Sequence, residues 1–162
     1  MAAANITPVP DCQLTWIFGL LEYLEDQNGR EDGYKIARDL QFKFSDLLKV
    51  MKAAEILGFV STPAGDVVLE PFGKQFLESK VNQRKLLLRE QLKTLGLFGY
   101  FIRLLRAQED RSLSKEVVLE HLAMLLPSEK PDRLFWVIVN WGRFAELFGY
   151  SKDEDRFYLD QE

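Results

Sequence analysis

The chain has 162 residues, 47% of them hydrophobic and 12% aromatic, which is enough apolar material for one ordinary domain or two small ones sharing a core, and too much for a disordered tail. A formal net charge of −4 gives no general attraction to nucleic acid or to anionic membranes. The single cysteine, Cys12, excludes an internal disulfide, and the apolar runs are too short to span a bilayer, so the expectation is a soluble cytoplasmic protein.

Residues 1–12 read as a flexible tail or linker, small and polar and interrupted by Pro8 and Pro10. A first helix is expected from Gln13 to Asp26, with Leu14, Ile17, Phe18, Leu21 and Leu24 on one face and Asn28-Gly29 ending it. A second, Asp32 to Leu40, turns Ile36, Ala37 and Leu40 inward. Ser45 is the expected N-cap of a third helix whose buried face carries Leu47, Val50, Met51, Ala54 and Leu57. Gly58 suits the left-handed residue that ends that helix. Phe59-Val60 and Val67 to Leu69 flank the breakers Pro63 to Asp66 and predict a two-stranded hairpin. Three helices followed by such a hairpin make a winged helix-turn-helix over residues 13–79.

A helical second unit is expected over residues 80–162, packed on the first. Gly96 and Gly99 predict a break near Leu95 to Tyr100. Ser114 should cap a helix reaching Leu126, and Ser128 the next, with Pro131 in its first turn and an end at Phe148. That last helix is apolar almost all round, which predicts burial on most sides. Ala54 to Phe59 is echoed by Ala145 to Tyr150, each followed by a polar turn and a short strand. The expected fold class is therefore mainly α with small β-hairpins, a degenerate tandem of two winged-helix-like units.

Residues suited to catalysis are scarce. His121 has no second histidine or cysteine cluster to make a metal site with it, and no glycine-rich phosphate loop occurs. Asp153, Glu154 and Asp155 read as a solvated hairpin tip, and Cys12 has no basic neighbour in sequence. The expectation is a non-enzyme with no cofactor and no metal.

Two surfaces are candidates for binding. The outward face of the third helix carries Ser45, Leu48, Lys49, Lys52 and Ile56. A DNA-reading helix should offer arginine, asparagine or glutamine to base edges, whereas this one offers two lysines beside apolar groups. Residues 1–79 hold seven Lys or Arg against twelve Asp or Glu, a net of −5, and the hairpin turn carries Asp66. DNA is disfavoured. Leu48, Lys49, Lys52 and Ile56 instead form a protein-contact face, either for a partner or, as the favoured reading, for the second half of the same chain. The other surface is a basic stripe of Arg84, Lys85, Arg89 and Lys93, suited to an acidic protein face or an anion, against the simpler reading of a solvated helix face.

Several segments resemble one known family. They are Leu20 to Leu24 with Asn28 to Asp32, Ala54 to Phe59, Leu69-Glu70-Pro71-Phe72-Gly73-Lys74, Arg84-Lys85, Arg89-Glu90-Gln91-Leu92, and Asp132 to Tyr150 around Trp141-Gly142-Arg143. The chain is similar there to the C-terminal AAA-associated domain, found after the ATP-binding subunits of ABC importers of the nitrate, sulfonate and bicarbonate type and sometimes alone. The resemblance implies a non-catalytic regulatory or interaction domain in the cytoplasm, peripheral to the inner membrane through a transporter complex. Its implied partner is an ABC transporter ATP-binding subunit, with self-association through the aromatic-rich second half as a further option. No ATPase precedes the domain here, so an excised piece and a free-standing homologue are both open. A winged-helix transcription regulator is the alternative.

Overall fold

The computed structural model describes residues 6–161. Two compact units are present, one of residues 10–83 and one of residues 84–161 together with 6–9. No helix among the described residues is long and apolar enough to cross a membrane. Part of the expected flexible tail, residues 1–5, lies outside the described residues. Residues 6–12 form no helix or strand, yet Ile6, Val9 and Cys12 are buried.

The first unit runs α1 (Leu14–Asp26), β1 (Arg30–Asp32), α2 (Gly33–Leu40), α3 (Phe44–Ile56), β2 (Val60–Ser61), β3 (Asp66–Leu69) and α4 (Pro71–Glu78). Helix α1 packs on α3, α4 and β3, and its Ile17, Leu20, Leu21 and Leu24 are fully buried. It stops at Asn28 and Gly29, both left-handed, and the Gly29 N–H returns to the Leu24 carbonyl at 2.7 Å. Asp32 caps α2 by accepting from the Lys35 N–H at 3.2 Å. Ser45 does not cap α3. The helix starts one residue earlier and Ser45 lies inside its first turn.

The sheet has three strands where the sequence predicted two. Arg30 to Asp32 pairs antiparallel with Asp66 to Val68, giving the order β1-β3-β2. Three polar residues carry no hydrophobic alternation, so this strand exists through its backbone partners and not through side-chain pattern. Phe59, Phe72 and Phe76 form an aromatic layer beneath α4, with Phe59 stacked on Phe72 at 5.2 Å. Here α4 approaches so closely that a β-carbon on Gly73 would collide with the Phe59 carbonyl oxygen and lie 2.8 Å from Leu69 Cδ1.

The second unit contains α5 (Val81–Lys93, entering from the first unit's last residues), α6 (Gly96–Arg106), β4 (Ser112–Leu113), α7 (Lys115–Leu125), α8 (Pro131–Phe144), β5 (Phe148–Ser151) and β6 (Arg156–Leu159). The break between α5 and α6 falls at Thr94 and Leu95, at the N-terminal edge of the expected stretch, while Gly99 lies inside α6. Ser114 caps α7 by accepting from the Val117 N–H at 3.3 Å. Ser128 caps nothing, since α8 begins at Pro131 with Lys130 in the cap position. Helix α8 also ends four residues before Phe148, which lies in a strand. Trp141 of α8 is fully buried and stacks on Phe98, which stacks in turn on Phe148 at 5.8 Å. Burial of α8 is not complete all round, because Trp136 is 47% exposed.

From α1 and from α6 onward the two units follow one element order: helix, strand, helix, helix, strand, strand. The second sheet, β4-β6-β5, repeats the order of the first. The hydrogen bonds fix the register. Phe59 N–H returns to Ala54 O at 3.0 Å, and Leu147 N–H returns to Gly142 O at 2.9 Å. Left-handed Gly58 (φ 81) therefore corresponds to left-handed Glu146 (φ 55), not to Gly149 as the sequence alignment had it. Gly149 serves another purpose, for the Tyr158 ring occupies the space its side chain would need.

Two helix glycines should behave oppositely in thermal melts. Gly73→Ala meets the Phe59 backbone and should lower stability by about 1–3 kcal/mol. Gly19→Ala, with nothing within 4 Å of the new methyl, should raise it by about 0.5–1 kcal/mol. A gain in melting temperature for Gly73→Ala would refute the close approach of α4.

Candidate functional site

The basic stripe of α5 is turned largely to internal use. Lys85 Nζ lies 3.1 Å from Glu146 Oε2. Arg89 donates from Nε to the Ala145 carbonyl at 2.8 Å, and its guanidinium stands 3.7 Å from Glu146 Oε1. Lys93 pairs with Glu90 of its own helix at 2.8 Å. Arg84 is half-buried and holds a contact of its own. The Arg89 side chain is only 12% exposed.

The purpose of this arrangement follows from the end of α8. A helix leaves its last carbonyls without partners, and a cation there meets both an acceptor and the negative end of the helix dipole. Ala145 is the C-cap residue, and Arg89 fills that role. The next residue must turn left-handed, where a side chain costs roughly 1–2 kcal/mol. Glycine does this in the first unit; in the second Glu146 does it, held by Lys85 and Arg89.

The other nominated face is more open. Leu48 is 47% exposed, Lys49 and Lys52 are exposed, and Ile56 is half-buried. Trp16, 42% exposed, tilts against Phe42 at 5.3 Å, and exposed Tyr34 stacks on Phe44 at 4.5 Å. Trp16, Asp46 and Lys49, with Asp11 and Gln13, line a shallow hollow of about 210 Å³. In the neighbouring hairpin, Arg30 Nε pairs with Asp66 at 2.9 Å, so the carboxylate noted in the turn is matched by a cation.

Chemistry-bearing groups elsewhere are tied into the fold. His121 Nδ1 shares a 2.7 Å hydrogen bond with the Tyr100 hydroxyl. Asp155 accepts from the Lys115 N–H and from the Tyr150 hydroxyl. Among the described residues no three His, Cys, Asp or Glu side chains gather as a metal site requires, and no buried side-chain N or O lacks a hydrogen-bond partner. Cys12 is buried, and its thiol is pushed up to about 12, chiefly by burial and further by Asp11, with Lys49 opposing.

One surface escaped the sequence reading. The exposed residues of α8 after its first turn are Trp136, Asn140 and Arg143, and Arg133 in that turn shares their face. The signal was present as the 3-4-3 spacing of these residues, but the apolar residues between them masked it. Tyr158, 38% exposed, lies on β6.

Two stability predictions follow from this geometry. Arg89→Ala should cost about 1.5–3 kcal/mol in denaturant melts, the range for a hydrogen bond to a charged group, whereas Lys93→Ala should stay within about 0.5 kcal/mol. The Cys12 thiol has a higher pKa folded than unfolded. Its contribution to stability is thus complete below pH 9 and is lost as pH rises from 9 towards 12. Native protein should accordingly resist thiol reagents at pH 8 and react on unfolding; prompt native labelling would contradict the burial.

Comparison with known proteins gives one family. The model described as the C-terminal AAA-associated domain matches residues 34–151, from α2 to the end of β5. No curated protein and no solved structure matches the chain significantly.

Proposed function

The chain belongs to the C-terminal AAA-associated domain family, and on that premise we propose that it is a non-catalytic regulatory domain acting beside an ABC-type importer ATPase of the nitrate, sulfonate or bicarbonate class. The observation that carries this reading is the family match over residues 34–151. In this reading each unit is a winged helix used as scaffold, the domain stays in the cytoplasm, and its work is to contact protein. Supporting it, the side chains best suited to chemistry, Cys12 and His121, are respectively buried and bonded to Tyr100. Arg84, Lys85 and Arg89 contribute to the domain's own packing, with less left over for an external anion.

Transcription regulation remains a second reading on one observation: α3 exposes Lys49 and Lys52 next to a hairpin whose Asp66 is matched by Arg30. Salt-dependent duplex binding is unavoidable for a DNA reader. The deciding experiment adds the chain to the source organism's purified importer ATP-binding subunits and follows complex formation and ATP hydrolysis, with a low-salt mobility-shift titration alongside. The accessory reading expects a complex or an altered hydrolysis rate and no shift of duplex DNA. Sequence-specific DNA binding without any effect on an ATPase would replace it.

A further inference from the structure

The exposed face of α8 combines features that local stability does not explain. Arg133, Trp136, Asn140 and Arg143 follow one another at intervals of three, four and three residues, so they share one side of the helix. The two arginines lie ten residues apart, about 15 Å along the axis. Neither forms an ion pair among the described residues. Arg133 sits in the first turn, where the helix end is already positive and a cation is disfavoured. Lys115, the first residue of α7, is likewise a cation at a positive helix end. Its Nζ is 4.9 Å from the Trp136 ring centre.

Trp136 is also held in place. Its ring meets the edge of Phe135 at 5.0 Å and of Tyr150 at 5.7 Å, and the Tyr150 hydroxyl is tied to Asp155. A half-exposed tryptophan fixed by its neighbours and flanked by arginines has the composition of an interface hot spot, because little side-chain entropy remains to be lost on binding.

We infer that this face docks an acidic segment of a protein partner, with carboxylates at Arg133 and Arg143 and an apolar side chain on Trp136. The inference rests on the accessory-domain reading and names the surface through which such a domain is held. Charge complementarity selects the occupant. The nearby carboxylates Asp132 and Asp155 are engaged by Lys115 and Tyr150, which leaves the two arginines as the unmatched charges of the face. A duplex would bring a continuous row of phosphates past the turn carboxylates Asp153 and Glu154, which repel it. Two separated carboxylates meet the arginines without that penalty. A second copy of α8 packed antiparallel would set Arg133 against Arg143, so self-pairing is disfavoured as well.

The test uses defined probes and the whole chain. A fluorescent helical peptide with two glutamates about ten residues apart and leucines between them is titrated at low salt, beside the same peptide with lysines and a short DNA duplex. The glutamate peptide should bind at least about tenfold more tightly than the lysine peptide, and the double variant Arg133→Glu with Arg143→Glu should reverse the preference. Trp136→Ala should weaken binding by a similar factor in a chain that still unfolds cooperatively, at a somewhat lower melting temperature because the ring contacts to Phe135 and Tyr150 are lost, while Lys49→Glu with Lys52→Glu should leave binding unaltered. Absence of binding, equal binding of both peptides, no reversal, or tighter binding of the duplex would each overturn the inference. Peptide binding without any effect on an importer ATPase would overturn the accessory reading and leave the docking surface standing.

Discussion

A helix that must become a strand within three residues has to turn left-handed and find partners for its last carbonyls, and the fold is arranged around that constraint twice. The first solution uses Gly58, where no side chain resists the turn. The second places Glu146 at the same point and draws Arg89 onto the Ala145 carbonyl, with Lys85 and Arg89 around the carboxylate. Both exits release a chain that pairs as the edge of a three-stranded sheet with the order first, third, second. The two hairpins are then closed alike, by Glu70 N–H to Phe59 O in one and Asp160 N–H to Leu147 O in the other.

This difference between the units changes which charges are available to a partner. A basic stripe on a helix is ordinarily a solvated face or an anion site. On α5, two of its members act as the cap and counter-charge for α8, so they contribute to stability first. Arg133 and Arg143, which form no ion pair among the described residues, lie instead on α8, a helix whose other sides are filled by Trp141, Phe135 and Ile138. That burial fixes the helix and thereby fixes what its remaining face presents. Membership of an accessory-domain family and an exposed, braced tryptophan are consistent with a protein that works by contact.

Much of the local structure was legible because it depends on nearest neighbours. Ser114 caps the helix that follows it, and Asn28-Gly29 and Gly58 end the ones before. The break before α6 falls at Thr94 and Leu95, just ahead of Gly96. Ser45 and Ser128 misled for a shared reason. A serine near a helix start is a cap only if the backbone leaves the helix at that residue, and Lys43 and Lys130 hold those positions instead. The tandem pattern was visible, but its register slipped by three residues, because an alignment by letters matches glycine with glycine and the chain matches left-handed residue with left-handed residue.

The sequence by itself determined the helix-rich composition, the positions of most helix ends and the repeated helix-to-hairpin exit, all of which follow from side-chain periodicity and the backbone preferences of single residues. Tertiary structure alone decided the rest. The strands β1 and β4 are too short to announce themselves and exist only because β3 and β6 offer them backbone partners. Likewise, whether an arginine serves the fold or faces solvent depends on which carbonyl or carboxylate another helix brings within reach, and that distance is not encoded near the arginine in the chain.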